Sequence, residues 1–194
     1  MSVDVSSRVA GRPRDPGVEA GILVAVQDLL IESGYAGTTI AAVAQRAHCG
    51  RSAIYRRWET KAELVVAAVR ALQVTTAAPD TGTLRGDLLA AALHFADADE
   101  RTASVLASIL SEIGRDEELR DVAYRVIGGP PVAVLTSVIE RWIDRGEVRA
   151  DAPVSVIAGI VPTAAFGSVS LRRRALEPEA VTELVDQVIL PALR

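Results

Sequence analysis

The chain has very few of the residues that enzymes commonly use for catalysis or for metal binding. Its 194 residues include one cysteine, Cys49, and two histidines, His48 and His94. A single cysteine excludes an intramolecular disulfide and is typical of a reducing cytoplasm. The HExxH, GxSxG and glycine-rich phosphate-loop motifs are also missing from the sequence. We therefore predict a cytoplasmic protein that is not an enzyme and that needs no metal and no other cofactor.

Long uninterrupted hydrophobic runs are scarce as well. The first 17 residues contain no apolar segment of the kind that a secretory signal requires. The closest approach to a membrane span is the segment 152–171, which lacks charge but contains Pro153, Gly159, Pro162 and Gly167. We interpret this segment as a helix buried inside the protein or at an interface, and we expect no membrane partner.

Charge is divided unevenly along the chain. The formal net charge is −4, yet residues 1–61 contain eight basic and six acidic side chains. Affinity for nucleic acid depends on the local patch that meets the phosphates, so this distribution is compatible with DNA binding. We expect residues 1–14 to form a disordered basic arm. Its Arg12 and Arg14 either enter a minor groove or belong to a plain basic leader, and the sequence leaves both interpretations open.

Two short helices joined by a tight turn are predicted within residues 34–64. Thr39 is a good N-cap for the first of them, whose apolar residues follow the spacing of one buried face. Gly50 precedes the second helix, which we predict over residues 51–58 with Ile54 and Trp58 facing inward. The outer face then carries small, aromatic and basic residues: Arg51, Ser52, Ala53, Tyr55, Arg56 and Arg57. Such a helix suits the major groove, where arginine pairs with guanine and tyrosine donates to phosphate.

The region from residue 15 to about residue 74 resembles the DNA-binding domain of TetR-type (tetracycline-repressor-type) transcriptional regulators. The resemblance rests on four short motifs: Glu32-Ser33-Gly34-Tyr35, Thr38-Thr39, Ile54-Tyr55-Arg56-Arg57-Trp58 and Thr60-Lys61-Ala62-Glu63-Leu64. Together they cover about a third of the chain at fixed offsets. Three positions depart from the family pattern. His48 stands where the family usually has a glycine. Gly50 stands where a phosphate-contacting hydroxyl is common, and Trp58 replaces the commoner phenylalanine.

The resemblance implies DNA contacts for seven side chains. It assigns phosphate contacts to Thr39, Tyr55 and Lys61. It assigns contacts with bases or with the flanking backbone to Arg51, Ser52, Arg56 and Arg57. Each assignment has a structural alternative, because a tyrosine ring can pack against the protein and paired arginines can form a solvated charged face.

The remaining sequence predicts further helices and contains no strand or hairpin pattern. We therefore expect an all-α fold in which an N-terminal three-helix helix-turn-helix domain, residues 15–76, precedes a larger helical regulatory and dimerisation domain, residues 83–194. The predicted linker is 77–82. The first helix should end at Gly34, and the Gly-Gly-Pro-Pro run at 128–131 should separate two helices. A single helix is predicted for residues 152–174.

The segment 145–151 also resembles the regulatory domain of the family. In that family the last two long helices pair with their copies in a second subunit, which implies that residues 153–171 and 178–193 form a homodimer interface. The small residues in these segments allow close helix approach. Two recognition helices could then read a palindromic double-stranded DNA operator whose half-sites lie about one helical turn apart.

Large apolar residues of the second domain are candidates for lining a ligand cavity. They are Phe95, Leu106, Ile109, Leu110, Tyr124, Trp142 and Phe166. The same spacing is also that of an ordinary core, so the pattern leaves both interpretations open and does not identify a ligand.

The function favoured by these observations is sequence-specific DNA binding by a transcriptional regulator. The resemblance implies a homodimeric repressor that a small-molecule effector releases from its operator. Two alternatives stay open: a helical dimerisation or adaptor protein with vestigial DNA binding, and an activator of the same fold. Salt-dependent affinity for DNA separates the regulator from the adaptor protein.

Overall fold

Four helices at the N-terminus build a helix-turn-helix unit. The computed structural model of the chain describes residues 16–73, 77–96 and 99–194, and every element in these ranges is helical. Helix α1 (Pro16–Gly37) packs against α2 (Ile40–Arg46) and α4 (Lys61–Arg70), and α3 (Arg51–Tyr55) packs on α2. The predicted all-α fold is therefore confirmed. The arm predicted at residues 1–14 lies outside the described residues.

Helix α1 is held by an apolar face and is interrupted at a glycine. Ile22, Val26 and Leu30 on this face are fully buried. Gly34 has φ 67° and ψ −175°, which breaks the regular helix before the last turn to Gly37. This backbone conformation is open to glycine at little steric cost, which explains why the predicted end of the helix falls here. Thr38 then closes the turn, because both its amide and its hydroxyl donate to the Gly34 carbonyl.

Helix α3 is shorter than predicted. It ends at Tyr55, and Arg56 and Arg57 form a turn instead of continuing the helix to Trp58. The reason lies in the next helix. Thr60 is its N-cap and has an extended backbone, with φ −124° and ψ 163°, so that its hydroxyl accepts a hydrogen bond from the Glu63 amide at 3.1 Å. The chain must leave the helical conformation before residue 60 for this cap to form.

Five further helices complete the described part of the chain. Their bounds are α5 (Leu84–Ala92, followed by a 3-10 turn at Leu93–Ala96), α6 (Glu100–Leu110), α7 (Glu117–Asp144), α8 (Val154–Arg172) and α9 (residues 178–193). Thr83, Asp99 and Asp116 cap the N-termini of α5, α6 and α7, and each side chain accepts a hydrogen bond from a first-turn amide.

The predicted separation of two helices at residues 128–131 is wrong. Helix α7 runs through this region and contains a five-residue π-helical turn, Tyr124–Gly128. Pro130 and Pro131 lack backbone N–H groups, but they stand in the first turn of the segment Gly129–Asp144, where a proline is tolerated. The Gly129 amide donates to the Tyr124 carbonyl across the wide turn. A Cβ at Gly129 would lie 3.1 Å from that carbonyl oxygen, so the close approach favours glycine.

Helix α8 is divided where a single helix was predicted. Its two segments are Val154–Ala158 and Ile160–Arg172, with Gly159 between them. Pro162 follows three residues after Gly159, and its missing N–H removes the helical hydrogen bond to the carbonyl of residue 158. By length and composition alone, α7 and α8 are apolar enough to cross a membrane, as core helices often are. Only 39% of the most apolar window of each helix is buried within the chain.

Two hydrophobic cores share the described residues. The first joins α1–α4 with α6 and the front of α7, and it includes Val65, Ile109 and Leu119. The second joins α5, the rear of α7, the first half of α8 and α9, whereas Val169 in the second half of α8 belongs to the first core. The first core therefore extends across the linker predicted at 77–82, because α6 and the front of α7 pack with α1–α4.

A buried carboxylate ties the segment before α5 to α7. Asp87 is fully buried, and its Oδ1 accepts hydrogen bonds from the amide and the hydroxyl of Thr81, at 2.6 and 2.7 Å. Its Oδ2 accepts from Arg141 at 2.7 Å and from the Trp142 indole at 2.8 Å. Arg141 also donates to the Pro79 carbonyl. Burial by itself raises the pKa of Asp87, but the hydrogen bonds from Thr81 and Trp142 and the charge of Arg141 outweigh burial and lower it.

We expect the substitution Asp87→Asn to lower the free energy of unfolding at neutral pH by about 3 kcal/mol, because it leaves the Arg141 charge without its buried partner. The folded-state pKa of Asp87 is lowered, so its stabilisation is present above the pKa of an unfolded aspartate, about 3.9, and is lost as the pH falls through the folded value. The difference between variant and wild type should therefore shrink in acid. Urea denaturation at several pH values measures it.

The matched control is Asp186→Asn, which removes one partner of the exposed Arg85–Asp186 ion pair. An exposed pair contributes at most about 1 kcal/mol. Equal losses of stability for the two variants would contradict the role assigned to Asp87.

Candidate nucleic-acid interface

The outer face of the helix-turn-helix unit carries most of the predicted DNA-binding side chains. Arg51, Ser52, Tyr55 and Arg56 are all exposed, and Tyr55 retains 55% of its accessible surface. The i, i+1, i+4 and i+5 spacing places them on one side of α3 and the turn after it. Ile54 is fully buried on the opposite side and fixes the direction in which this face points.

Thr39 lies at the N-terminus of α2 and is exposed. Its hydroxyl oxygen accepts a hydrogen bond from the Ala42 amide at 3.1 Å, which confirms the predicted N-cap. A hydroxyl that accepts one hydrogen bond keeps its own proton for another acceptor. Thr39 can therefore cap the helix and donate to a phosphate oxygen in the same conformation.

Arg57 does not share the exposed face. Its side chain retains only 9% of its accessible surface, and its Nε lies 3.2 Å from a carboxylate oxygen of Glu19. Its Nη1 also donates to the Ala53 carbonyl at 3.0 Å. The structure thus places Arg57 as a brace between α3 and α1, away from the position predicted for a DNA contact. Because residue 57 falls in the turn after α3, its side chain turns back toward the protein.

Lys61 stands at the first position of α4 and is half-buried against Tyr35. Its Nζ donates to the Tyr35 carbonyl at 2.5 Å and lies 3.8 Å from the centroid of the Tyr35 ring. Burial lowers the pKa of Lys61, and the negative charges of Asp116 and Glu112 oppose this effect. Lys61 is the first residue of α4, and the N-terminal end of a helix favours a phosphate because its first amides and its dipole are positive.

Two adjoining apolar depressions lie between α6, α7 and α8, with cavity volumes of about 80 and 240 Å³. Both are partly open to solvent and share Leu106, Ile127 and Phe166 in their walls. The first is also lined by Leu72, Gln73, His94, Phe95, Thr102, Pro131, Ala165 and Val169. The second is also lined by Ile109, Leu110, Ile113, Arg120, Ala123, Tyr124 and Gly128. We call the pair the apolar groove.

Six of the seven residues predicted for a ligand cavity lie in the walls of this groove: Phe95, Leu106, Ile109, Leu110, Tyr124 and Phe166. Trp142 does not. It is 3% exposed and belongs to the second core, where its indole donates to Asp87. The sequence shows Trp142 only as part of an apolar helix face. Its hydrogen bond to Asp87, 55 residues away, could not be predicted from that pattern.

Several residues of the groove and of the interface were not predicted from the sequence. Ile113 and Ile127 line the groove, and Ile113 continues the helical spacing of Leu106 and Ile109, which would have been a usable signal. The sequence marks Tyr35 only as part of a turn motif, yet Tyr35 contacts Lys61. Arg120 carries the charge nearest the second depression, and no local pattern marks it.

An exposed basic helix-turn-helix joined to a helical domain with an apolar groove defines a class of DNA-binding regulators. The family description "Bacterial regulatory proteins, tetR family" matches residues 22–68, and "Tetracyclin repressor-like, C-terminal domain" matches residues 78–188. An HTH-type transcriptional regulator of Mycobacterium tuberculosis is 32% identical, over 98% of this chain and 97% of its own. The chain belongs to the TetR family of transcriptional regulators.

Two further similarities agree with this assignment. The DNA-binding transcriptional repressor TetR of Mycobacteroides abscessus is 29% identical, over 90% of this chain and 93% of its own. The solved structure of Salmonella enterica GusR superposes with a TM-score of 0.70 at 14% identity, covering 93% of this chain and 97% of GusR. The second similarity concerns the fold alone.

Proposed function

We propose that the protein is a cytoplasmic homodimeric repressor that binds a palindromic operator and is released by a small apolar or amphipathic effector. The observation that carries the proposal is the exposed face of α3, where Arg51, Ser52, Tyr55 and Arg56 point away from the buried Ile54. Family membership supports the same function, since the matched family consists of bacterial regulatory proteins.

The exposed side chains suit two kinds of DNA contact. Arg51, Ser52 and Arg56 project from the face that would enter the major groove, where a guanidinium can bond to both acceptors of guanine. Thr39, Tyr55 and Lys61 lie at its margins and would contact phosphates, which fix the register of the helix on the duplex. Arg57 is excluded from this proposal because its guanidinium contacts Glu19 and Ala53.

The neighbouring arginines provide a matched pair of variants. We expect Arg56→Ala to weaken binding to a duplex selected from a randomised pool by at least about tenfold, without changing stability, because it removes a guanidinium that bonds to a base. Arg57→Ala should instead lower the free energy of unfolding by about 1 kcal/mol, because it removes the brace to Glu19. Fluorescence anisotropy and urea denaturation measure the two effects.

The control is Arg70→Ala, which removes the same charge from the exposed C-terminal end of α4. Wild-type affinity in Arg56→Ala would contradict the proposed interface. A failure of the wild-type protein to enrich any duplex would favour the adaptor alternative. A reporter gene downstream of the selected site then separates repression from activation.

The homodimer interface is proposed to lie on α8 and α9. Three large apolar side chains on these helices are exposed in the single chain: Val156 at 67%, Leu171 at 86% and Val188 at 43%. Water contact with such side chains is unfavourable, and helices pair by burying faces of this kind. A second copy of the same two helices would cover them and complete a four-helix bundle.

We expect Leu171→Glu to shift the protein from the mass of two chains toward the mass of one, because it places a charge in the proposed interface. Light scattering after size-exclusion chromatography measures the shift. Val24→Glu, at an exposed valine of α1, is the control and should leave the mass unchanged. A wild-type protein that is already monomeric would contradict the interface.

The apolar groove is the proposed effector site. Its walls are formed by α6 and α7, which also pack on the DNA-binding helices, and by Phe166 of α8. An effector that binds better to one arrangement of these helices shifts the population toward that arrangement. Release follows if the favoured arrangement no longer fits the two half-sites.

Filling the groove tests this part of the proposal. We expect the dye anilinonaphthalene sulfonate to fluoresce on binding to the wild-type protein, and Leu110→Trp to weaken that binding at least about threefold by occupying the second depression. Val24→Trp adds the same ring elsewhere and is the control. Equal dye binding by all three proteins would remove the groove from the proposal.

A further inference from the structure

Within the described residues, the polar links between the DNA-binding helices and the α6–α7 region come from three donors: Arg101, Ser108 and Tyr35. Arg101 donates to Asp28 at 2.7 Å, and the Ser108 hydroxyl donates to the Leu30 carbonyl at 2.9 Å. The Tyr35 hydroxyl donates to Asp116 at 3.2 Å. Of these three donors, only Tyr35 also contacts a side chain that is proposed to bind DNA. That side chain is Lys61.

Asp116 uses its two carboxylate oxygens for two different purposes. Oδ1 accepts from the Leu119 amide at 2.9 Å and caps α7. Oδ2 accepts from the Tyr35 hydroxyl, although the two residues are 81 positions apart. The Asp116 carboxylate therefore caps α7 and also supports the DNA-binding unit through Tyr35.

Tyr35 holds Lys61 in two ways. Its carbonyl accepts a hydrogen bond from Nζ, and its ring face lies 3.8 Å below the same nitrogen. A lysine side chain loses considerable rotamer freedom when it is fixed, so support that orders it before DNA arrives reduces the entropy lost on binding. The ring is itself fixed at its far end by the bond to Asp116.

We propose that Asp116 is a positioning residue for operator binding, acting through Tyr35 to hold Lys61 against the DNA phosphates. The proposal rests on the function proposed above. Asp116 lies at the start of the helix whose Arg120, Ala123 and Tyr124 line the second depression of the apolar groove. Movement of this helix would therefore reach Lys61 through the hydrogen bond from Tyr35 to Asp116 and the contacts of Tyr35 with Lys61.

The substitution Tyr35→Phe isolates the link. It keeps the ring, the carbonyl and the Asp116 cap, and it removes only the hydroxyl without changing any charge. We expect Tyr35→Phe to weaken binding to the selected duplex by about three- to tenfold, the size of a single hydrogen bond. In a Lys61→Met background the same change should alter affinity by less than about twofold, because the side chain being positioned is gone.

A second variant tests the acceptor. We expect Asp116→Asn to weaken binding to a similar extent, and its combination with Tyr35→Phe to be no weaker than either variant alone. Glu112→Gln removes another negative charge that acts on Lys61 without removing the bond to Tyr35, and it controls for the change in charge.

The dependence of affinity on salt supplies an independent measurement. The slope of log affinity against log salt falls by about 0.9 for each phosphate that the protein no longer neutralises. We expect a decrease of this size in Lys61→Met and a smaller decrease in the same direction in Tyr35→Phe. An unchanged slope in Lys61→Met would contradict the phosphate contact on which the positioning role depends.

The outcomes separate this inference from the proposed function. Wild-type affinity in Tyr35→Phe, or an equal loss of affinity with and without Lys61, overturns the positioning role while leaving the regulator intact. An equal loss in both backgrounds, accompanied by a lower unfolding temperature, would show that Tyr35 only stabilises the fold, which also overturns it. A wild-type protein that binds no duplex overturns the proposed function and the inference together.

Discussion

The packing of α6 and the front of α7 against α1 and α4 is the constraint on which the rest of the structure depends. Ile109 and Leu119 share one core with Ile22 and Val65, and all four are nearly or completely buried. Close-packed cores do not deform continuously, so a change in α6 or α7 must be matched by the helices that carry the DNA-binding face. The position of that face is thus set by residues from both sides of the predicted domain boundary.

Helix α7 passes from this first core into the second, and the apolar groove lies at the crossing. Ile127, at the wide turn, belongs to the first core, whereas Leu135 belongs to the second. Pro130 and Pro131 prevent regular hydrogen bonding here, and the π-helical turn accommodates them. A ligand held against Ile127 and Gly128 would touch the helix where its hydrogen bonding is least regular. The same residues that made the helix prediction wrong therefore help to form the proposed binding site.

Features with local causes could be predicted from the sequence, and features with distant partners could not. Thr39 and Ile54 follow from capping and helical spacing within a few residues, and the structure places both as expected. In the sequence, Arg57 cannot be distinguished from the neighbouring Arg56, and Trp142 continues the apolar face of its helix. Their roles depend on Glu19, 38 residues away, and on Asp87, 55 residues away. The π-helical turn is an intermediate case. The glycines and prolines at residues 128–131 correctly mark an irregularity in the backbone, but the helix continues through it instead of ending there.

The use of lysine at a single position has a physical explanation in this arrangement. The chain contains twenty arginines and one lysine, Lys61. At the start of α4 the cation must approach the Tyr35 carbonyl and the face of the Tyr35 ring together, at 2.5 and 3.8 Å. An ammonium group is compact and donates in three directions, so it can meet both partners and still face a phosphate. A guanidinium is planar and donates within its own plane, so stacking on the ring would turn its N–H groups away from the carbonyl. The geometry of Tyr35 thus favours lysine at the site where the proposed phosphate contact is linked, through Asp116, to α7.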